Sequence, residues 1–172
     1  MTAIPERPDP LLPQGNDALS DGRQSQTALD IARGTVRLFA DLGFAAIPEL
    51  SLANRRRADI VALSPKGEIW IAEIKSSLAD FQADGKWPEY LDYCDRFYFA
   101  VTDAFPMVVL PDDPGLIISD RYGAEIVRAA PQEALSAARR KQVHVAFART
   151  AAQRLTRLAD PDAGLETHWR GD

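Results

Sequence analysis

Cysteine is almost absent: Cys94 stands alone among 172 residues, so no internal disulfide framework is possible, and no Cys/His set at zinc-ligand spacing occurs. The two histidines, His144 and His168, have no acidic or cysteine partner at ligand spacing, and neither reads as a catalyst or a metal ligand. No uninterrupted apolar run approaches the roughly 20 residues a bilayer-crossing helix needs, and no apolar signal segment opens the chain. The expectation is a cytoplasmic protein with no membrane partner. An excess of positive charge is also missing, since 20 Lys and Arg face 25 Asp and Glu for a net charge of -5. That balance argues against a broad basic surface gripping polyphosphate, and it leaves room only for narrow, salt-sensitive nucleic-acid binding or binding assisted by a metal or a partner.

What is present suits one globular domain, with 46% hydrophobic residues. Residues 1–24 are rich in Pro and Gly (Pro5, Pro8, Pro10, Pro13, Gly15, Gly22) and read as a flexible arm. Residues 25–160 form the folded domain, and the polar stretch 161–172 reads as a C-terminal tail. No internal repeat is visible.

Within the domain, Leu29, Ala32, Val36 and Phe39 recur at helical spacing over 25–42, and Gly43 stops that helix. Strands follow at 44–52, where Pro48 marks an edge or bulge, at 59–63, and at 68–75 after the Ser64-Pro65-Lys66-Gly67 turn. The segment 80–95 carries Phe81, Trp87 and Tyr90 near helical intervals, but Gly85 and Pro88 break it into a short turn and a second helix. Phe97 to Val101 is wholly apolar or aromatic and reads as a central strand. Short strands are expected at 107–110, 116–118 and 124–127. A last helix opens at Pro131, with a stripe of Leu135, Ala138, Val145, Ala148, Ala152, Leu155 and Ala159 and a bend near 142–144. This order fits an α/β domain better than a bundle or a barrel.

The chemistry lies in "RRRADIVALSPKGEIWIAEIKSS", Arg55 to Ser77. Alternate residues of a strand share a face, so Ile69, Ile71, Glu73 and Lys75 line one side while Trp70, Ala72 and Ile74 line the other. Glu73 and Lys75 fall about 6.6 Å apart along the backbone. A hairpin centred near Pro65 brings Asp59 beside Glu73 if its strands pair antiparallel. Two carboxylates at one sheet edge can hold Mg²⁺ or Mn²⁺ through oxygen and leave positions for water and phosphate. Lys75 then positions the attacking water as an ammonium, because neighbouring carboxylates keep it charged. The competing reading is an ion pair of Lys75 with Asp59 or Glu73 closing the end of a sheet, and spacing alone leaves both open.

Arg57-Ala58-Asp59-Ile60 followed by Ala72-Glu73-Ile74-Lys75 resembles the D…(D/E)-x-K signature of the restriction-endonuclease-like, or PD-(D/E)XK, superfamily. The longer string "RRRADIVALSPKGEIWIAEIKSSLADFQADGKWPEYLDYCDRFYFAV", with "GLIISDRYGAEIVRAAP" and "ARRKQ", resembles the MmcB-like bacterial family associated with DNA repair, over about Arg33 to Leu158. The resemblance implies a restriction-endonuclease-like mixed sheet flanked by helices, and a divalent-metal-dependent cut in DNA. It assigns Asp59 and Glu73 as metal ligands and Lys75 as the motif lysine. The superfamily often adds a glutamate from the first helix; this helix offers only Asp30 and Asp41, and Glu49 is the substitute considered.

Around this centre, Arg55, Arg56 and Arg57 are candidates to fork onto phosphates, against a bland reading as a solvated loop. Ser76 and Ser77 offer hydroxyls to phosphate or caps to the next helix, Lys86 is a phosphate contact, and Asp84 is expected to pair with an arginine. Trp87, Tyr90 and Tyr93 are aromatic platforms for bases or, for the first two at least, sheet packing. Arg139, Arg140 and Lys141 read as a charged helix face. The expected function is a repair-associated, metal-dependent DNA phosphodiesterase acting on nicked, branched or single-stranded DNA. The alternatives are a catalytically silent DNA-binding or protein-docking repair module of the same fold, with a repair protein as partner, and an RNA-directed nuclease. No pattern indicates an oligomeric state.

Overall fold

The computed structural model describes residues 25–162; the predicted arm and almost all of the predicted tail lie outside them. Helix α1 (Gln26–Asp41) starts where the Ser25 hydroxyl accepts the Ala28 N–H, and it ends before Gly43, whose φ of 80° suits glycine. Strands β1 (Ala45–Ser51), β2 (Arg57–Leu63) and β3 (Ile69–Ile74) form an antiparallel meander. Helix α2 (Leu78–Ala83) and a 3-10 helix (Trp87–Tyr93) cross to β4 (Arg96–Val101), which pairs parallel with β3. Strand β5 (Gly115–Ser119) pairs parallel with β4, β6 (Ala124–Arg128) returns antiparallel, and α3 (Ala137–Ala159) closes the chain.

The result is one mixed six-stranded sheet in sequence order with helices on its faces, a restriction-endonuclease-like arrangement of the α/β class. Alternation along β3 divides the core. Ile69 and Ile71 face a layer completed by Phe97, Phe99, Tyr90, Val143 and Phe147, while Ala72 and Trp70 face the layer under α1, with Ile31, Phe39 and Tyr98. Gly34 lets α1 sit against the β5–β6 turn, because a Cβ there would lie 2.0 Å from the Asp120 carbonyl oxygen. Strand β4 is central and buried, as its composition predicts.

Three expectations need correction. Residues 107–110 are not a strand: Met107–Val109 is a 3-10 turn, and Val108 is 93% exposed. Both edges of β4 are already taken by β3 and β5, so the segment has no ladder to join, and it serves as the crossover between parallel strands. The last helix starts at Ala137, capped by the Ser136 hydroxyl, because the segment before it is tied to Asp95 through Glu133 and Leu135 N–H groups; it runs 23 residues with no break at 142–144. Its predicted stripe faces outward. Val143 and Phe147 are buried, whereas Val145, Ala148, Ala152, Leu155 and Ala159 are exposed. No helix among the described residues is long and apolar enough to cross a membrane.

Candidate active site

Antiparallel pairing of Ile60 with Ala72 puts Asp59 across the ladder from Glu73. The Asp59 carboxylate folds over the end of the ladder and accepts the Ile74 N–H at 2.8 Å. Glu73 continues the face of Ile69 and Ile71 but is only 5% exposed, and Lys75 beyond it is 2% exposed. The Lys75 ammonium lies 2.5 Å from Asp84 Oδ2 and 3.6 Å from Glu73 Oε1. Asp84 is itself held, since its other oxygen accepts the Lys86 N–H. Glu73 Oε2 is buried and has no hydrogen-bond partner among the described residues.

These groups wall a cavity of about 430 Å³. Ser25 and Ala28 come from the first turn of α1, Asp59 from β2, Glu73 to Ser76 from the end of β3, and Asp80 and Asp84 from α2 and its C-cap. Burial and then the Asp59 charge push the Glu73 carboxyl far above the ordinary carboxylate range, with Lys75 opposing. Burial also raises Asp59, less than Glu73 because the Ile74 N–H offsets part of it; the Glu49 charge adds to the rise. Burial disfavours the Lys75 ammonium, but the Asp84 hydrogen bond and the Glu73 charge outweigh it and hold its pKa above the usual lysine value. Lys75 is therefore a fixed cation.

The other sequence candidates are divided. Ser76 lines the cavity, with its N–H and hydroxyl both directed to Asp80 Oδ2. Ser77 caps α2 by accepting the Asp80 N–H, which is the structural role considered for it. Arg55 is exposed in the β1–β2 turn with φ 65°, Arg56 makes two bonds to Glu89 at 2.7 and 2.8 Å, and Arg57 pairs with Glu49. None of the three arginines lines the cavity, nor does the exposed Lys86. Glu49 sits at a bulge in β1 with φ 53°, beside Asp59 but turned to Arg57. Trp87 and Tyr90 stack on Phe97 and Tyr93 is buried under the Arg139 guanidinium, so these aromatics pack the sheet.

Asp84 corrects the sequence reading: its partner is Lys75, and no arginine pairs with it among the described residues. Asp80 and Ser25 were not foreseen at the site. The Ser77-x-x-Asp80 spacing was a legible capping signal, whereas the approach of α1's first turn follows only from tertiary packing.

Among the described residues no group of three or more His, Cys, Asp and Glu side chains is arranged to hold a metal ion. The donors do fit a hard cation of the Mg²⁺ kind, which needs only one or two protein carboxylates and keeps water or phosphate in its other positions. The unpartnered Glu73 oxygen is where such an ion would bind.

Comparison with known proteins finds no match among curated proteins. A solved structure of a protein of unknown function from Silicibacter pomeroyi is similar, with 48% sequence identity and a TM-score of 0.78 over 81% of this chain and 96% of that one. Residues 15–162 match the family described as DNA repair protein MmcB-like, and the chain belongs to that MmcB-like family.

Proposed function

We propose that this chain is a DNA-repair-associated, divalent-metal-dependent phosphodiesterase acting on DNA. Asp59 and Glu73 take Mg²⁺ or Mn²⁺, and Lys75 positions the attacking water. The observation that carries this reading is the state of Glu73: a buried carboxyl with one unpartnered oxygen, lining the same polar cavity as Asp59. A purely structural acid in that position would be costly, since Lys75 reaches only its Oε1, at 3.6 Å, and a buried ionisable group ordinarily has both oxygens satisfied. A repair role is in keeping with the MmcB-like DNA repair family.

A bound divalent ion supplies charge neutralisation at the phosphodiester and acidifies water. The chain supplies the rest. Asp59 is fixed by the Ile74 N–H, and Lys75 is held as an ammonium by Asp84, which suits orienting a water and leaves no free amine for base chemistry. Glu49 completes the ligand set only by exchanging its Arg57 partner. The Ser76 hydroxyl stands at the cavity wall, and Arg55, Ser77 and Lys86 remain exposed on neighbouring turns as candidate phosphate contacts.

The test is a Mn²⁺-supplemented cleavage panel of linear, nicked, flapped, branched and single-stranded DNA plus RNA, with Glu73→Ala as control and calorimetry of Mn²⁺ binding alongside. Cleavage of at least one DNA form and millimolar or tighter Mn²⁺ binding are expected, both lost in Glu73→Ala while its circular dichroism spectrum is kept. Cleavage of RNA alone would transfer the reading to an RNA nuclease. Loss of both cleavage and ion binding in the native chain would leave a silent repair module, a reading the pre-formed Lys75–Asp84 pair favours.

A further inference from the structure

At the other end of the sheet from the candidate active site lies a second cavity, of about 420 Å³, which the proposed reaction does not use. Trp87, Leu91 and Phe97 give it an aromatic and aliphatic wall, and Pro114 and Pro131 line it as well. Its surroundings are tied in place by hydrogen bonds. Arg128 donates to the Pro111 and Pro114 carbonyls, Arg96 to the Ala130 carbonyl and Gln132, and the Asp95 carbonyl accepts the Glu133 N–H. Leu91 is 39% exposed, an apolar side chain open to a ligand.

The charges that line the cavity are not balanced. Asp95 is neutralised by Arg140, and Arg96 is turned to the Trp70 ring and the Ala130 carbonyl. Asp113 and Glu133 are exposed and form no ion pair among the described residues. Tryptophan and proline walls beside two free acids suit a proline-rich segment in the polyproline conformation that carries one basic side chain. A nucleic acid is a poor occupant, since both uncompensated groups are anionic.

The chain contains such a segment, Arg7-Pro8-Asp9-Pro10-Leu11-Leu12-Pro13, in the predicted arm outside the described residues. A polyproline helix has three residues per turn, so Arg7, Pro10 and Pro13 share one edge and Pro5, Pro8 and Leu11 the next. The acids Glu6 and Asp9 fall together on the third edge, away from both. We infer that Arg7 to Pro13 docks in this cavity of its own chain, with Pro10, Pro13 and Leu11 against Trp87 and Leu91 and the Arg7 guanidinium on Asp113 and Glu133. The tether is long enough. Ser25, where the arm joins α1, walls the active-site cavity at the C-terminal end of β3, whereas the second cavity opens at Asp95 to Phe97, where β4 begins beside Trp70. A strand of this length separates the two by about 20 Å, and the links from Pro13 to Ser25 reach about 40 Å when extended. The same tether gives this segment a local concentration that a free basic peptide lacks.

The experiment records amide NMR spectra of the full chain, native and with Arg7→Glu, Pro10→Ala/Pro13→Ala, Asp113→Lys/Glu133→Lys, or Arg7→Glu combined with Asp113→Lys/Glu133→Lys. Asp113 and Glu133 are exposed, and matching thermal melts confirm folding. Both arm variants are expected to shift the Trp87 indole N–H and the Leu91 and Glu133 amides and to leave those of Glu73 and Asp84 in place. The combined variant, with its charges exchanged, should return the Trp87 indole signal to its native position. A synthetic peptide of residues 5–15 should bind the Arg7→Glu chain at least about tenfold more tightly than it binds the combined variant. Identical cavity signals in the native and Arg7→Glu chains would overturn the inference, as would equal binding of a peptide carrying Arg7→Glu. Arm-dependent shifts that grow with protein concentration would assign the segment to a second copy's cavity and overturn docking within one chain.

Discussion

Asp95 and Glu73 stand at opposite ends of β3, both buried acids next to a basic side chain, and they are treated in opposite ways. Asp95 receives the Ile69 N–H, the Leu135 N–H and both arms of the Arg140 guanidinium. Burial raises its pKa, but those bonds outweigh it and hold the carboxyl below the usual range. Glu73 has Lys75 at 3.6 Å, a lysine already committed to Asp84, and keeps one oxygen bare. Burial costs similar in kind are offset at one end of the strand and left standing at the other. The first acid joins β3, the segment before α3 and α3 itself, and its chemistry is finished. The second stores an unfavourable state beside an open cavity, which is where ligand binding has most to gain.

The sharpest way to break this comparison is to remove the guanidinium from the satisfied end. Arg140→Ala leaves Asp95 buried without its cation and should destabilise the fold by about 3–5 kcal/mol, measured by urea denaturation, with the lower part of that range favoured by the partial exposure of Arg140. A loss below about 1 kcal/mol would mean that the two ends do not differ as described.

Glu73→Gln should act the other way. It removes an ionisable group whose folded pKa is raised, so in the absence of metal it should stabilise the fold at neutral pH, by about 1–3 kcal/mol, while weakening Mn²⁺ binding more than tenfold. The sign follows from proton counting. Between its unfolded pKa, about 4.3, and its raised folded value, Glu73 binds a proton in the folded state and not in the unfolded one. Its contribution is therefore complete below about pH 4 and fades as pH rises through the folded pKa, so the advantage of Glu73→Gln grows from about pH 5 to pH 8. Asp95, with a lowered folded pKa, gives the mirror image: its contribution is present above about pH 4 and is lost as pH falls through the folded value. Parallel pH profiles for Glu73→Gln and Asp95→Asn would erase the contrast.

The smallest effect is expected at a third pair, outside both ends of β3. Arg56 and Glu89 make a two-armed contact in the open, and Arg56→Ala should leave the denaturation midpoint unchanged within error.

Much of this contrast was legible before any coordinates. The strict alternation of Ile69 to Lys75, with an aspartate heading the previous apolar run, specifies register, face and the meeting of Asp59 with Glu73, because a one-residue slip would bury the wrong set. The arrangement around Asp95 was not legible, since its partners lie 26 to 45 residues away and no local pattern links them. The phase of α3 failed for a related reason. Val145, Ala148, Ala152 and Leu155 repeat as regularly as Val143 and Phe147, and only the sheet decides which set is covered. Asp84 was misassigned because its lysine sits nine residues back, around a turn whose path depends on α2 docking.

The outer border of the sheet shows one more use of irregularity. Strand β1 lies at the edge of the six, and Pro48 offers no N–H there, while Arg154 covers the carbonyls of Pro48 and Glu49 and the left-handed Glu49 kinks the strand. A second extended peptide arriving at that margin would find neither a continuous row of donors nor a straight template. The same kink that sets Glu49 beside Asp59 thus makes this margin of the sheet a poor template for a further strand.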